Sequence, residues 1–264
     1  MFKKAGHLFL TYTQSLYEYR GDLLIYTLNA FILPLILMSV WTAIADSKTS
    51  TLVNKQYVVQ YYFIQMFVNV MVSAWHGPFF GEDIRDGKIL KELIRPLGRI
   101  WYDITENIGE KVWKLILALP AYILVGYVVR DSLSPQILIR IPMLMPIVFL
   151  AAAIYFLMHH IIGVTAFWFS DTGAIKSFHD MIFFVTSGKL FPLHYAAGIL
   201  PVALFNYLPY KYVIGFPLEV ALGTMSAPAI MTGIAIQCFW LGVLYVLYIN
   251  LWKKGLKIYG GYGG

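Results

Sequence analysis

The sequence predicts an all-α membrane protein with six transmembrane helices, because it is unusually apolar and carries long stretches without charge. Hydrophobic residues make up 59% of the 264 residues and charged residues only 13%, with a mean hydropathy of +0.67. A soluble domain is about 45–50% apolar. A helix that crosses a bilayer needs about 20 mostly apolar residues. We therefore expect one transmembrane domain over residues 1–264, with no separate soluble domain.

The first predicted element is an amphipathic helix over residues 1–22 that lies in the membrane interface. Ala5, Phe9, Tyr12 and Leu16 recur at helical spacing, which is typical of such a helix. The apolar residues are too interrupted to form the continuous core of a cleaved signal peptide. The alternative is a plain helical extension of the first span.

Five spans follow from the distribution of charge. Four of them, at about 23–45, 56–80, 141–169 and 229–252, are almost wholly covered by stretches without Asp, Glu, Lys or Arg. The remaining one, third in chain order at about 113–129, is shorter, but the charged residues at its two ends can extend their head groups to the membrane interfaces.

A sixth span, the fifth in chain order, is expected at about 175–191. Fourteen of the twenty basic residues lie on the cytoplasmic side if both termini are cytoplasmic, as the positive-inside rule favours, and this orientation requires an odd number of crossings within 175–228. Prolines at 192, 201, 209 and 217 interrupt the rest of that region. They predict broken, partly re-entrant helices on the outer side. Three short crossings are the alternative.

The motifs of common enzymes are missing. The sequence has no phosphate loop, HExxH, GxSxG or dinucleotide fingerprint, so no cofactor is expected on this chain, and nucleotide energy must come from a partner. His159 and His160 point about 100° apart on a helix and cannot share a metal ion, so no metal site is expected. His179 and Asp180 are interpreted as a solvated helix end.

Polar residues form one stripe along the second predicted span. Tyr61, Gln65, Asn69 and Ser73 are each four residues apart and share a helix face. Polar groups are costly against lipid, so the stripe should face protein or a water-filled cavity. It has two interpretations, hydrogen bonding between helices or the lining of a substrate path.

The charge is concentrated between the second and third predicted spans. Residues 82–114 contain seven acidic and seven basic residues, a balance that argues against a plain patch for anionic lipids. Ile89, Leu90, Leu93 and Ile94 recur at helical spacing, and Pro96 ends the helix. This short helix is either a docking surface or an interfacial helix resting on its own bundle.

The stretch IRDGKILKELIRPL at 84–97 resembles the first cytoplasmic loop of type-2 ATP-binding cassette exporter permeases. The N-terminal helix resembles the connecting helix of that family, SGKLFPLHYAAGILP at 187–201 resembles its broken outer segment, and the tail WKKGLKIYGGYGG at 252–264 is similar to that of a bacterial six-span subfamily. The resemblance covers the whole chain. Lys189 departs from the pattern by placing a charge near the outer end of span five.

The resemblance implies a permease subunit in the bacterial inner membrane, with both termini cytoplasmic. Its partners would be membrane lipids, a second permease, identical or homologous, and two ATPase subunits that bind ATP and magnesium; it would bind no nucleic acid and would not itself be an enzyme. Residues 87–96 would form a cytoplasmic coupling helix seated in an ATPase groove. The residues implied in coupling are Asp86, Gly87, Leu90, Lys91, Leu93, Ile94, Arg95 and Pro96.

The same resemblance implies that the second and fifth spans line the substrate path. The residues implied there are Tyr61, Gln65, Asn69, Ser73, His179 and Phe183. Aromatic residues are frequent in the chain, which favours an amphipathic or lipid-like substrate.

Two rival functions stay open at the level of sequence. An ion-coupled carrier would need a carboxylate or a sodium site within the membrane, and the five clearer spans carry no Asp or Glu near their centres. A membrane-embedded lipid-modifying enzyme would use His159, His160 or His179, but no catalytic constellation accompanies them.

Overall fold

A computed structural model of the chain describes residues 20–47, 53–93, 98–197 and 201–259. The described part is helical, which confirms the all-α prediction. The predicted interfacial helix at 1–22 lies outside these residues except for its last three. The helices are α1 Arg20–Asp46, α2 Lys55–Val72, α3 His76–Arg85, α4 Ile89–Leu93, α5 Arg99–Val128, α6 Gln136–Val164, α7 Gly173–Thr186, α8 Val202–Phe205, α9 Gly215–Leu222 and α10 Ala227–Ile258.

Within the described residues, five helical segments are long and apolar enough to cross a membrane. They are Gly21–Asp46, Lys55–Arg85, Arg99–Val128, Gln136–Phe167 and Ala227–Ile258. The second joins α2 and α3, and the fourth is α6 with a short 3₁₀ extension. These segments overlap five of the six predicted spans.

The third of these segments begins at Arg99, well before the predicted start at residue 113. Charged residues that the sequence analysis placed in a loop form the first turns of α5 instead. Because Arg99 pairs with Asp103 and Lys114 pairs with Glu110, each one turn apart, their charges are compensated inside the bundle. The loop between these helices is therefore shorter than the charged stretch at 82–114 indicates.

A three-residue break, Ser73–Trp75, separates α2 from α3. Ser73 has an extended ψ of 133°, so its carbonyl leaves the helical ladder. Asn107 Nδ2 and Lys111 Nζ of α5 donate to that carbonyl at 3.1 and 3.0 Å. Side chains of a neighbouring helix thus satisfy a backbone group that could not pair with lipid.

The chain from Ser170 to Tyr195 leads from the end of α3 back to the start of α2. Arg85 Nη1 donates to the Ser170 carbonyl at 2.6 Å, and the Asn54 amide donates to Tyr195 Oη at 3.2 Å. Helix α7 occupies the first part of this path and has 14 residues, fewer than the roughly 20 that a single-helix crossing needs.

The proline-rich region that follows packs into the bundle. The Gly215 amide donates to the Ser187 carbonyl at 2.8 Å, and Arg140 donates to the Ala221 carbonyl at 3.3 Å. Gln237 Nε2 of α10 donates to the Tyr212 carbonyl at 2.9 Å. Helix α9 is largely buried as a result.

The two ends of the described chain lie at the same end of the bundle. Tyr259 Oη donates to the Ile84 carbonyl at 3.2 Å, which places the end of α10 beside the end of α3. Lys55 and Asp46 form an ion pair at 2.6 Å at the opposite end. Helix α1 therefore begins at the end where α10 finishes.

Candidate functional site

The loop between α3 and α5, residues 86–98, is the charged loop of this protein. Helix α3 ends at Arg85, and the next turn is closed by Gly87, whose φ of 76° lies in the left-handed region that favours glycine. The Leu90 amide donates to the Gly87 carbonyl at 3.2 Å and starts α4. Of the short helix expected at 87–96, the structure describes Ile89–Leu93, and the predicted end at Pro96 lies outside the described residues.

Helix α4 has one anchored side chain and an exposed surface. Ile89 is fully buried against Phe80 and Val164, whereas Leu90 is 42% exposed and Lys91 is exposed. Ile89 shares the apolar helical spacing of Leu90, but it anchors the helix instead of facing outward. The side chain of Leu93, and the residues Ile94, Arg95 and Pro96, lie outside what the structure describes.

The turn before α4 carries a local ion pair. Lys88 Nζ donates to Asp86 Oδ2 at 2.8 Å. This hydrogen bond holds the pKa of the Asp86 carboxyl below its ordinary value. Both side chains are more than half exposed, so the pair contributes little to stability, and its charges are accessible to a partner.

A buried charged cluster lies directly beneath the charged loop; we call it the loop-base network, formed by Asp83, Arg99, Asp103 and His160. Arg99 Nε donates to both carboxylate oxygens of Asp103, at 2.8 and 2.9 Å, and its Nη1 donates to Asp83 at 2.7 Å. His160 Nε2 lies 2.9 Å from Asp103 Oδ2. The network joins α3 and α5, which enter and leave the charged loop, to α6.

A second buried cluster holds the break between α2 and α3. Trp75 Nε1 donates to Glu110 Oε2 at 2.7 Å, and Glu110 pairs with Lys114 at 2.6 Å. Both charged side chains are buried. Breaking such a pair from one side is strongly destabilising, because it leaves an uncompensated buried charge. The two clusters together fix both helices that flank the charged loop.

The polar stripe predicted on the second span contacts backbone of the same chain. Tyr61 Oη donates to the Gly188 carbonyl at 2.6 Å, and Gln65 Nε2 donates to the Lys189 carbonyl at 2.9 Å. Asn69 Nδ2 donates to the Ala30 carbonyl at 3.4 Å.

Ser73, the last residue of the stripe, lies in the break after α2 and bonds to the Val70 carbonyl at 2.9 Å. The stripe therefore connects α2 to α1, to α5 and to the segment after α7.

A cavity of about 340 Å³ lies between α6 and α7. It is lined by Tyr155, Asp180, Phe183, Phe184 and Lys189. The Lys189 ammonium lies 5.8 Å from the Phe183 ring centroid, so this charge faces an aromatic wall. Phe183 is the one predicted path residue in the lining, and His179 stacks beside it with ring centroids 6.2 Å apart.

The adjacent histidines of α6 have separate surroundings. His160 belongs to the loop-base network, whereas the His159 ring lies 5.6 Å from that of His179. Helical geometry turns successive residues about 100° apart, which explains the divergence. This divergence agrees with the expectation that the two histidines do not share a ligand. Their neighbours, Asp103 of α5 and His179 of α7, come from other helices and could not be predicted from the spacing within α6.

Comparison with known proteins gives one family. The model of a family described as ABC-2 family transporter protein matches residues 23–263. No match was found among curated proteins.

Proposed function

Because the chain belongs to the ABC-2 family of transporter proteins, we propose that it is the permease subunit of an ATP-binding cassette exporter in the bacterial inner membrane. It is an integral membrane protein and a transport component. The observation that supports this proposal is the charged loop. It presents exposed residues on a short helix, and buried charged groups hold the base of the loop.

We propose that two ATPase subunits and a second permease, identical or homologous, complete the transporter. ATP and magnesium would bind on the ATPase chains, since this sequence carries no phosphate loop. Leu90 is an exposed apolar side chain between exposed charged residues, and this combination suits an interface that needs both burial and orientation.

The proposed topology has six crossings with both termini cytoplasmic. The crossing that transmembrane-length helices do not provide is the fifth in chain order, from Ser170 to Tyr195, which leads from Arg85 at the end of α3 back to Asn54 before α2. It combines the short helix α7 with non-helical backbone at 187–192. Non-helical backbone at this depth is supported by its burial in protein, where Tyr61 and Gln65 donate to its carbonyls.

The proposed mechanism transmits ATPase movement through the loop-base network. Closure of the ATPase pair would displace α4, and Ile89 ties that helix to the core around Phe80. Arg99 connects α3 and α5 through Asp83 and Asp103, so both helices would move together. The population of the bundle would then shift between inward-open and outward-open or occluded states.

The proposed substrate is amphipathic or lipid-like. The cavity between α6 and α7 combines the aromatic rings of Tyr155, Phe183 and Phe184 with the charges of Asp180 and Lys189. Apolar walls with a few polar groups are the usual composition of a small-molecule site.

Purification of the complex from native membranes tests the proposed function. We expect the tagged chain to co-purify with an ATPase that contains a phosphate loop, as two permease and two ATPase chains by native mass spectrometry. In liposomes the complex should hydrolyse ATP, and substitution of the phosphate-loop lysine of the ATPase should abolish this activity. Transport by the chain alone, driven by an ion gradient, would contradict the proposal.

A further inference from the structure

His76, at the start of α3, is a buried histidine without a hydrogen-bonding partner. The residue is 1% exposed, and neither ring nitrogen forms a hydrogen bond in the described part of the chain. Its ring stacks on Trp75 with centroids 4.5 Å apart and meets Phe156 at 5.4 Å. Buried polar groups without partners are rare and costly, so these nitrogens indicate a ligand.

Two carboxylates face the same point. One ring nitrogen of His76, one oxygen of Asp103 and one oxygen of Glu106 all lie within 4.8 Å of one another. Asp103 is buried and Glu106 is half-buried. The two carboxylates are one turn apart on α5, so the site is formed by two helices.

The surrounding charge also favours a cation. Asp103 is paired with Arg99, and Asp83 lies between Arg99 and Lys88. Half-buried Glu106, in contrast, forms no ion pair with the residues that the structure describes. A bound divalent ion would compensate this carboxylate while using a ring nitrogen of His76 that has no hydrogen-bonding partner among the described residues.

We propose that His76, Asp103 and Glu106 bind a divalent first-row transition-metal ion, with Zn²⁺ as the representative. A donor set of one imidazole and two carboxylates suits Zn²⁺ or Mn²⁺, whereas Mg²⁺ prefers oxygen ligands and bound water. Arg99 and His160 already hold the Asp103 carboxylate in place, as outer-shell partners do in metal sites. Because Glu106 is only half-buried, its side chain has room to move into contact with the ion.

The ion would join the two helices that flank the charged loop. His76 lies on α3, which leads into the loop, and Asp103 and Glu106 lie on α5, which leads out of it. A metal bridge between them would stiffen the base of the loop. This inference does not rest on the proposed transport function, since the site lies within a single chain.

A second group, His159, His179 and Asp180, also brings three possible ligand atoms within 4.8 Å of one another. There Lys176 bonds directly to Asp180 at 2.5 Å, and Lys189 lines the adjacent cavity. Two nearby ammonium groups against one carboxylate disfavour a cation. This group therefore provides a matched control for the site at His76.

Metal binding to the purified full-length chain tests the proposal. The protein would be isolated through a tag without histidine, freed of metal by chelator dialysis, and titrated with Zn²⁺ in equilibrium dialysis. We expect one bound ion per chain that millimolar Mg²⁺ does not displace. His76→Gln and Glu106→Gln should each weaken binding at least about tenfold, the effect that even outer-shell changes produce, and His179→Gln should leave it unchanged.

His76→Gln removes no hydrogen bond among the described residues, so we expect this variant to fold, as size-exclusion chromatography and circular dichroism would show. If it does not fold, Glu106→Gln carries the test. The proposal is overturned if the wild-type chain binds no Zn²⁺, if binding survives in the folded variant at full strength, or if His179→Gln alone removes it.

Discussion

Leu90→Glu is expected to abolish the binding of ATPase subunits while leaving the permease folded. Leu90 is exposed on α4, and the neighbouring Ile89 is the residue that anchors the helix. In the proposed interface the new carboxylate would be buried without a partner. We expect at least a hundredfold loss of affinity, about 3 kcal/mol, measured by co-purification of the ATPase and by its binding to the permease in nanodiscs.

Leu204→Glu is the matched control for this variant. Leu204 is 60% exposed on the short helix α8 and belongs to the region beyond Tyr195, at the proposed outer side. The same substitution there should leave ATPase binding intact. Equal retention of the ATPase by both variants would show that α4 is not part of the interface. Loss of thermal stability in Leu90→Glu alone would show that the side chain supports the fold instead.

Asp103→Leu is expected to lower the free energy of unfolding by about 3 kcal/mol. The buried carboxylate accepts two hydrogen bonds from Arg99 and bonds to His160, so its removal takes these bonds from a guanidinium and an imidazole inside the bundle. The variant should unfold at a lower temperature in detergent. Because the network links α3 to α5, transfer of the variant complex from detergent to a bilayer should also change its rate of ATP hydrolysis less than the same transfer changes the wild-type rate.

The control for Asp103→Leu removes an exposed carboxylate of the same type. Asp131 has a side chain that is 93% exposed and lies 3.7 Å from Arg130. Exposed pairs contribute about 0–1 kcal/mol, so Asp131→Leu should hardly change the unfolding temperature. A similar shift in both variants would mean that the loop-base network adds no stability beyond that of a surface pair.

The helical membrane fold was predictable from the sequence because lipid imposes long apolar segments that can be read directly. The start of α5 at Arg99 was not predicted from the sequence. Charge along residues 99–114 indicated a loop, but two pairs one turn apart, Arg99 with Asp103 and Glu110 with Lys114, compensate one another within the helix. That four-residue spacing was a signal for a helix in the sequence itself.

The contacts of the polar stripe could not be predicted in the same way. Spacing places Tyr61 and Gln65 on one face and indicates that this face meets protein. Their acceptors are the carbonyls of Gly188 and Lys189, more than a hundred residues later in the chain. Only the path of the segment after α7 brings these groups together, and no local pattern encodes that path.

Photo-crosslinking from α4 tests most directly whether the charged loop seats an ATPase. The single cysteine, Cys238, would be replaced by serine, and a benzophenone label attached through Lys91→Cys or, as the control, through Tyr207→Cys, both exposed positions. Illumination of the complex should join the ATPase to the label at 91 and not to the label at 207. A complex that hydrolyses ATP but gives no ATPase crosslink from 91 would contradict the account.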